Sequence, residues 1–147
     1  MAVVREAHVV WNGDLASGSG MVDAVSSKAF SALPVSFASR TESPSGRTSP
    51  EELIAAAHAS CFAMALSGRL GRAGTPPQRL EVSAKVTFDR VDAGWKVVSS
   101  ALSVKGVVRG IDQAKFREEA EAAKDGCPVS QALKGNVALS VEAFLEK

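Results

Sequence analysis

The chain has almost no net charge. Seventeen Lys and Arg against sixteen Asp and Glu leave +1 at neutral pH, which removes the electrostatic argument for a nucleic-acid or anionic-membrane partner and points to a small molecule or another protein. Cysteine is scarce, with Cys61 and Cys127 the only two. Two thiols by themselves cannot make a zinc site, and neither a metal nor a cofactor is expected. The opening residues, "MAVVREAHVVWNGD", carry Arg5, Glu6 and His8. They lack the long apolar core and small-residue cleavage site of a secretory signal, so the protein is expected in the cytosol. A permanent disulfide is disfavoured in that reducing compartment. The two thiols are then either a reactive pair or inert buried side chains. No internal repeat, low-complexity tract or linker interrupts the 147 residues, and 46% hydrophobic content suits a single domain spanning 1–147 with one core.

What is present reads as strands at both ends with helices between. "VVREAHVVW" followed by Asn12-Gly13 predicts a strand and tight turn, and "GMVDAV" its hairpin partner. Residues 38–49, "ASRTESPSGRTS", predict a polar loop. Ser49 as N-cap, Pro50 at the first helical position and Glu52 closing an S-x-x-E box predict a helix start. From Leu53 to Leu66 only His58 and Ser60 are polar, which predicts a helix buried nearly all round, too short and Ala-rich for a membrane span. Leu80 to Asp89 alternates strictly, as a half-buried antiparallel strand does. "VDAG" turns it into a second long strand, Trp95 to Val108, followed by an amphipathic helix with Asp112 as N-cap and Gly126 just past its end. A short "PVSQALK" turn and a last strand, "VALSVEAFL", complete an α+β chain with an antiparallel sheet packed on helices. One sheet cannot cover a helix that is apolar all round. A second subunit is expected on the remaining face, in an isologous homodimer.

The settings of the thiols differ. Cys61 lies about three turns beyond the N-cap, out of reach of its own helix dipole, and burial alone raises a thiol pKa. An active Cys61 therefore needs a cation brought from elsewhere, and the candidates are Arg40, Arg47 and His58. Arginine suits the task better because it stays charged and offers a rigid fork of donors; His58 also fits a core histidine hydrogen-bonded by its neighbours. Cys127, between Gly126 and Pro128, is expected beside a fresh helix N-terminus as an accessible, exchange-ready thiol. A buried nucleophile and a second thiol near a loop fit a peroxidatic and resolving pair. Phe62, Met64 and Phe37 suggest an apolar pocket, in which a bulky apolar peroxide gains from burial and hydrogen peroxide gains almost nothing.

At these residues the sequence resembles the osmotically inducible protein C and organic hydroperoxide resistance (OsmC/Ohr) family. The similarity is nearest the OsmC branch and is carried in order by "HVVWNGDLASGSG", "FASR", "SPEELIAAAHASCFAMALS", "KVTFDRVDAGWKV" and "GCPVSQALK". The resemblance implies a homodimer of intertwined α+β subunits, with two central helices between sheets, acting as a thiol peroxidase on organic hydroperoxides. By motif, Cys61 resembles the peroxidatic cysteine, Cys127 the resolving one, Arg40 the activating arginine and Glu51 its carboxylate partner, with Glu52 the other glutamate beside it. It further implies reduction by a dithiol such as the dihydrolipoyl group of a partner protein.

Helix geometry adds one expectation. Glu51 and Cys61 are separated by about 15 Å of rise on one helix. If two such helices cross antiparallel near Ala56, Glu51 of one chain comes alongside Cys61 of the other, and each site is composite. Two rival classes stand beside the peroxidase. A Cys-His acyl-transfer enzyme using Cys61 and His58 has no third group to orient the imidazole and no evident oxyanion hole. A non-enzymatic stress-induced binding protein of the same fold is the other alternative.

Overall fold

A computed structural model describes residues 1–147. Its contacts divide the chain into two compact units, Met1–Leu53 and Ile54–Lys147.

In the first unit, β1 (Ala7–Asn12) and β2 (Ser19–Ala24) form the expected antiparallel hairpin, in the register Val9↔Val22 and Trp11↔Gly20. The turn depends on glycine. Gly13 sits at φ 98°, and a Cβ on Gly18 would run into the carbonyl oxygens of Asp14 and Asn12. Two short elements follow that the sequence did not predict. β3 (Leu33–Val35) adds to β2 antiparallel, and α1 (Phe37–Thr41) occupies the start of the expected loop. α1 is only five residues long, and its order comes from a reciprocal capping box between Ser36 and Ser39. Ser39 Oγ also reaches the Thr48 carbonyl, and Thr48 N–H donates to Pro34, which ties the loop back to β3.

The long helix α2 (Pro50–Arg72) starts at the predicted place. Ser49 Oγ accepts the Glu52 N–H at 3.2 Å, while the Glu52 carboxylate takes the Thr48 hydroxyl instead of closing the box on Ser49. At 23 residues the helix is long and apolar enough, by length and composition alone, to cross a membrane, so the expectation that it is too short for that is corrected. Acidic residues at its head, Arg69 and Arg72 at its tail, and core packing along one side make it the core helix of the second unit. Within the single chain one side of it is covered. His58, Phe62, Leu66 and Leu70 form a fully buried i, i+4 stripe, whereas Ala56, Ala57, Ser60 and Met64 are exposed.

The second unit continues with β4 (Arg79–Val91) and β5 (Gly94–Val107), a long antiparallel pair with a bulge between Thr87 and Phe88. The predicted alternation is realised along β4: Leu80, Val82, Ala84, Val86 and Phe88 are half-buried, and the residues between them are exposed. α3 (Gln113–Gly126) is capped by Asp112, which accepts the Lys115 N–H. α4 (Pro128–Leu133) follows directly, and β6 (Ala138–Leu145) then pairs with β5 in parallel. The class is α+β, but the sheet is mixed and not wholly antiparallel, because the α3–α4 crossover returns the chain in the direction of β5. Phe62, Leu66 and Leu70 of α2, Leu102 and Val104 of β5, Phe116, Ala120 and Ala123 of α3 and Ala143 of β6 make the core. Gly106 is part of that packing, since any Cβ there would strike the Phe116 ring.

Candidate functional site

Both cysteines lie in the second unit as free thiols. Cys127 ends α3, its N–H donating to Ala123 C=O at 2.9 Å, and caps α4, its sulfur accepting the Ser130 N–H at 3.3 Å. Pro128 fills the first helical position, where a missing N–H costs nothing. The place of Cys127 at a helix N-terminus is therefore as the sequence predicts, but its exposure is not. Cys127 is completely buried and Cys61, on α2, is only partly so, which reverses the expected pairing of a buried nucleophile with an accessible partner. The reason is the direct α3–α4 junction, which turns the cap residue into the core.

The two thiols meet. Burial pushes the Cys61 pKa up, the N–H of Val129 donating to its sulfur opposes that, and the hydrogen bond to the Cys127 thiol raises it further. Val129 stands in the first turn of α4. Cys61 is thus beyond reach of its own helix N-terminus yet receives an amide from another helix's first turn. Sequence spacing carries no signal for that contact.

Next to the thiols lies a hydrogen-bond chain that the sequence reading did not assemble. His58 is fully buried, with Nδ1 2.6 Å from Ser100 Oγ and Nε2 2.8 Å from Ser130 Oγ. Ser130 Oγ is in turn 3.2 Å from Cys127 Sγ. Burial holds the His58 pKa below that of a free histidine. His58 is accordingly a satisfied core histidine, hydrogen-bonded by its neighbours. Ser130 was legible as the third residue after a cap; Ser100 had no local signal.

Arg40 and Glu51 pair within the first unit. Arg40 Nε and Nη2 lie 2.9 and 2.8 Å from the same oxygen, Glu51 Oε1. The Glu51 side chain is 8% exposed, and its Oε2 is buried without a hydrogen-bond partner. Glu51, not Glu52, holds the arginine.

No group of three or more His, Cys, Asp and Glu is placed to hold a metal ion. A cleft of about 620 Å³ in the second unit is lined by Ala63, Met64, Ser67, Gly68 and Pro77–Leu80. Met64 lines it as an apolar wall, but Phe62 does not, being wholly in the core. Neither cysteine lines this cleft, so it is not the expected pocket at the thiols.

A mixed α+β scaffold that holds two thiols in contact, one of them beneath a helix-terminal amide, defines a dithiol redox protein. The comparisons agree with this class and make it specific: the chain belongs to the OsmC-like protein family, whose profile matches residues 43–142. It is 42% identical to Peroxiredoxin OsmC of Escherichia coli over 142 residues, covering 97% of this chain and 98% of the relative. It is 34% identical to the organic hydroperoxide resistance protein OhrA of Bacillus subtilis over 97 residues, 65% of this chain and 66% of the relative. Among solved structures it is similar to the organic hydroperoxide resistance protein OhrB of Bacillus subtilis, with a TM-score of 0.71 at 25% identity, covering 94% of this chain and 97% of the other.

Proposed function

We propose that the protein is a thiol peroxidase that reduces organic hydroperoxides to alcohols, with Cys61 as the peroxidatic and Cys127 as the resolving cysteine. The observation that carries the reading is the contact between the two thiols, with the Val129 amide on the Cys61 sulfur. The Cys61 thiolate attacks the terminal peroxide oxygen, the O–O bond breaks, and the alkoxide leaves as the alcohol after taking a proton. Cys61 is left as a sulfenic acid. Cys127 then attacks that sulfur, the S–O bond breaks, water leaves and a disulfide joins the two residues. A dithiol reductant of the dihydrolipoyl kind restores both thiols.

Within its own unit Cys61 is held above the usual thiol range, so a cation must lower it. Arg40, held by Glu51, has that role, and a homodimer supplies it in trans: Cys61 and Cys127 from one subunit, Arg40 and Glu51 from its partner. The small exposed residues Ala56 and Ala57 support a close crossing of two α2 helices, which would cover the side that the core leaves open. The family match crosses the boundary between the two units, which supports reading 1–147 as one domain. Two cysteines held as free thiols in contact support a reducing compartment, the cytosol, as its place.

Titrating free thiols after one equivalent of cumene hydroperoxide tests the reading. Both thiols are lost and both return with a dithiol. A binding protein of the same fold keeps its thiols and leaves the peroxide unconsumed.

A further inference from the structure

The peroxide chemistry above leaves one buried titratable group unused. His58 could have been satisfied by backbone carbonyls, which only accept. Both of its partners are instead hydroxyls, Ser100 from β5 and Ser130 from α4, and a hydroxyl both accepts and donates. Ser130 is also bonded to Cys127, so the contacts run without a break from the thiols to the imidazole.

The direction of the chain follows from the donors already spent on Cys127. Its sulfur accepts the Ser130 N–H. Oxidised Cys61 has no S–H left to donate, and the Cys127 S–H has Ser130 Oγ 3.2 Å away as an acceptor. A Ser130 hydroxyl donating to the same sulfur, which already accepts the Ser130 N–H, would leave the Cys127 S–H without that acceptor. The consistent arrangement has Cys127 S–H donating to Ser130 Oγ, Ser130 O–H donating to His58 Nε2, and His58 Nδ1–H donating to Ser100 Oγ. This tautomer is assigned from the network. Nε2 is then an unprotonated base at the end of a two-bond path from the Cys127 thiol.

We propose that His58 is the terminal proton acceptor of a relay through Ser130 that activates Cys127 for its attack on oxidised Cys61. The inference rests on the reading of Cys127 as the resolving thiol. As the new S–S bond forms and the Cys61 S–O bond breaks, the Cys127 proton passes to Ser130 Oγ while the Ser130 proton passes to His58 Nε2. Hydroxide leaves Cys61 and becomes water by taking the proton that the imidazolium gives back by way of Ser130 as the disulfide closes. Both sulfurs end at the same oxidation level and one water is released. The groups facing the ring are Ser100 and Ser130, with Cys127 one bond beyond on the α4 side and Cys61 one turn along α2; burial is the only cause acting on the ring's ionisation, and no charged side chain contributes. His58 is a positioning residue in this scheme, because it reaches the sulfur through Ser130.

The test separates the two chemical steps in the full-length protein. Rapid mixing with one equivalent of cumene hydroperoxide is followed by peroxide loss for the first step. The second is followed by the mass of the disulfide-linked peptides and by dimedone trapping of sulfenic acid. His58→Gln keeps hydrogen bonding to both serines but cannot take a proton. Ser130→Ala removes the link, and Ser130→Thr keeps the hydroxyl. The relay predicts an unchanged first step in all three variants and closure slowed on the order of 10²-fold in His58→Gln and Ser130→Ala, with sulfenic acid accumulating. It predicts near-normal closure in Ser130→Thr. Closure at the wild-type rate in His58→Gln or Ser130→Ala overturns it, and so does equal slowing of both steps, which would indicate a structural role. Should His58→Gln fail to fold, the Ser130 pair decides. If the wild type itself forms no disulfide between Cys61 and Cys127, the resolving-thiol reading has failed and the relay falls with it. Closure in the wild type with no effect of the variants removes the relay alone.

Discussion

Burial holds the His58 pKa below the value for a free histidine, although both of its hydroxyl partners could accept from an imidazolium. The unfolded chain therefore binds a proton more readily than the native one as the pH falls through the histidine range. Stability from this group is fully present above the unfolded pKa and is lost toward the depressed folded one, with a slope of at most about 1.4 kcal/mol per pH unit for one proton. Denaturant melts between pH 7.5 and 5 should show the native state weakening on the acid side, and His58→Gln should flatten that decline. An equally steep decline in the variant would remove His58 as its source. Much of this scale was legible in the sequence. The residues themselves offered Arg40, Arg47 and His58 as partners of Cys61, the family resemblance added Glu51 beside Arg40, a pair the structure contains, and Cys127 was placed at a helix start because glycine precedes it and proline follows. Its burial was not legible, nor was the Val129 amide at Cys61, since both come from how α3 meets α4 and from contacts distant in sequence.

On the scale of elements, α2 has two faces with different work. Leu66 and its stripe mates lie in the core, while Ala56, Ala57 and Met64 are open, Met64 being 74% exposed. Leu66→Ala should cost about 2–5 kcal/mol in a denaturant titration, through lost burial and the cavity left behind. Ala56→Glu should leave the fold of the single chain intact, because its side chain points away from that core. It should nevertheless break the dimer in sedimentation and abolish peroxidase activity with both thiols still present. Full activity in a monomeric Ala56→Glu protein would contradict the composite site. Elements with strong local signals were legible: the Ser49–Pro50 start of α2, the alternation along β4, the Asp112 cap of α3. β3 and α1 were not, since three and five residues held by a capping box and a loop carbonyl leave little pattern. The parallel pairing of β6 was also hidden, because an alternating strand reads the same whichever direction its neighbour runs.

For the molecule as a whole, two thiols in contact on an α+β scaffold are a group equipped for two-electron chemistry. The α+β class and the expected resemblance hold together with the family match and the full-length relative. The division of labour between the thiols is the centre of the account, and single-turnover peroxide consumption by Cys61→Ser and Cys127→Ser tests it most directly. Cys61→Ser should consume no cumene hydroperoxide, whereas Cys127→Ser should consume one equivalent and then stall as a sulfenic or over-oxidised species. Loss of the first turnover in Cys127→Ser as complete as in Cys61→Ser, or turnover persisting in Cys61→Ser, would contradict it.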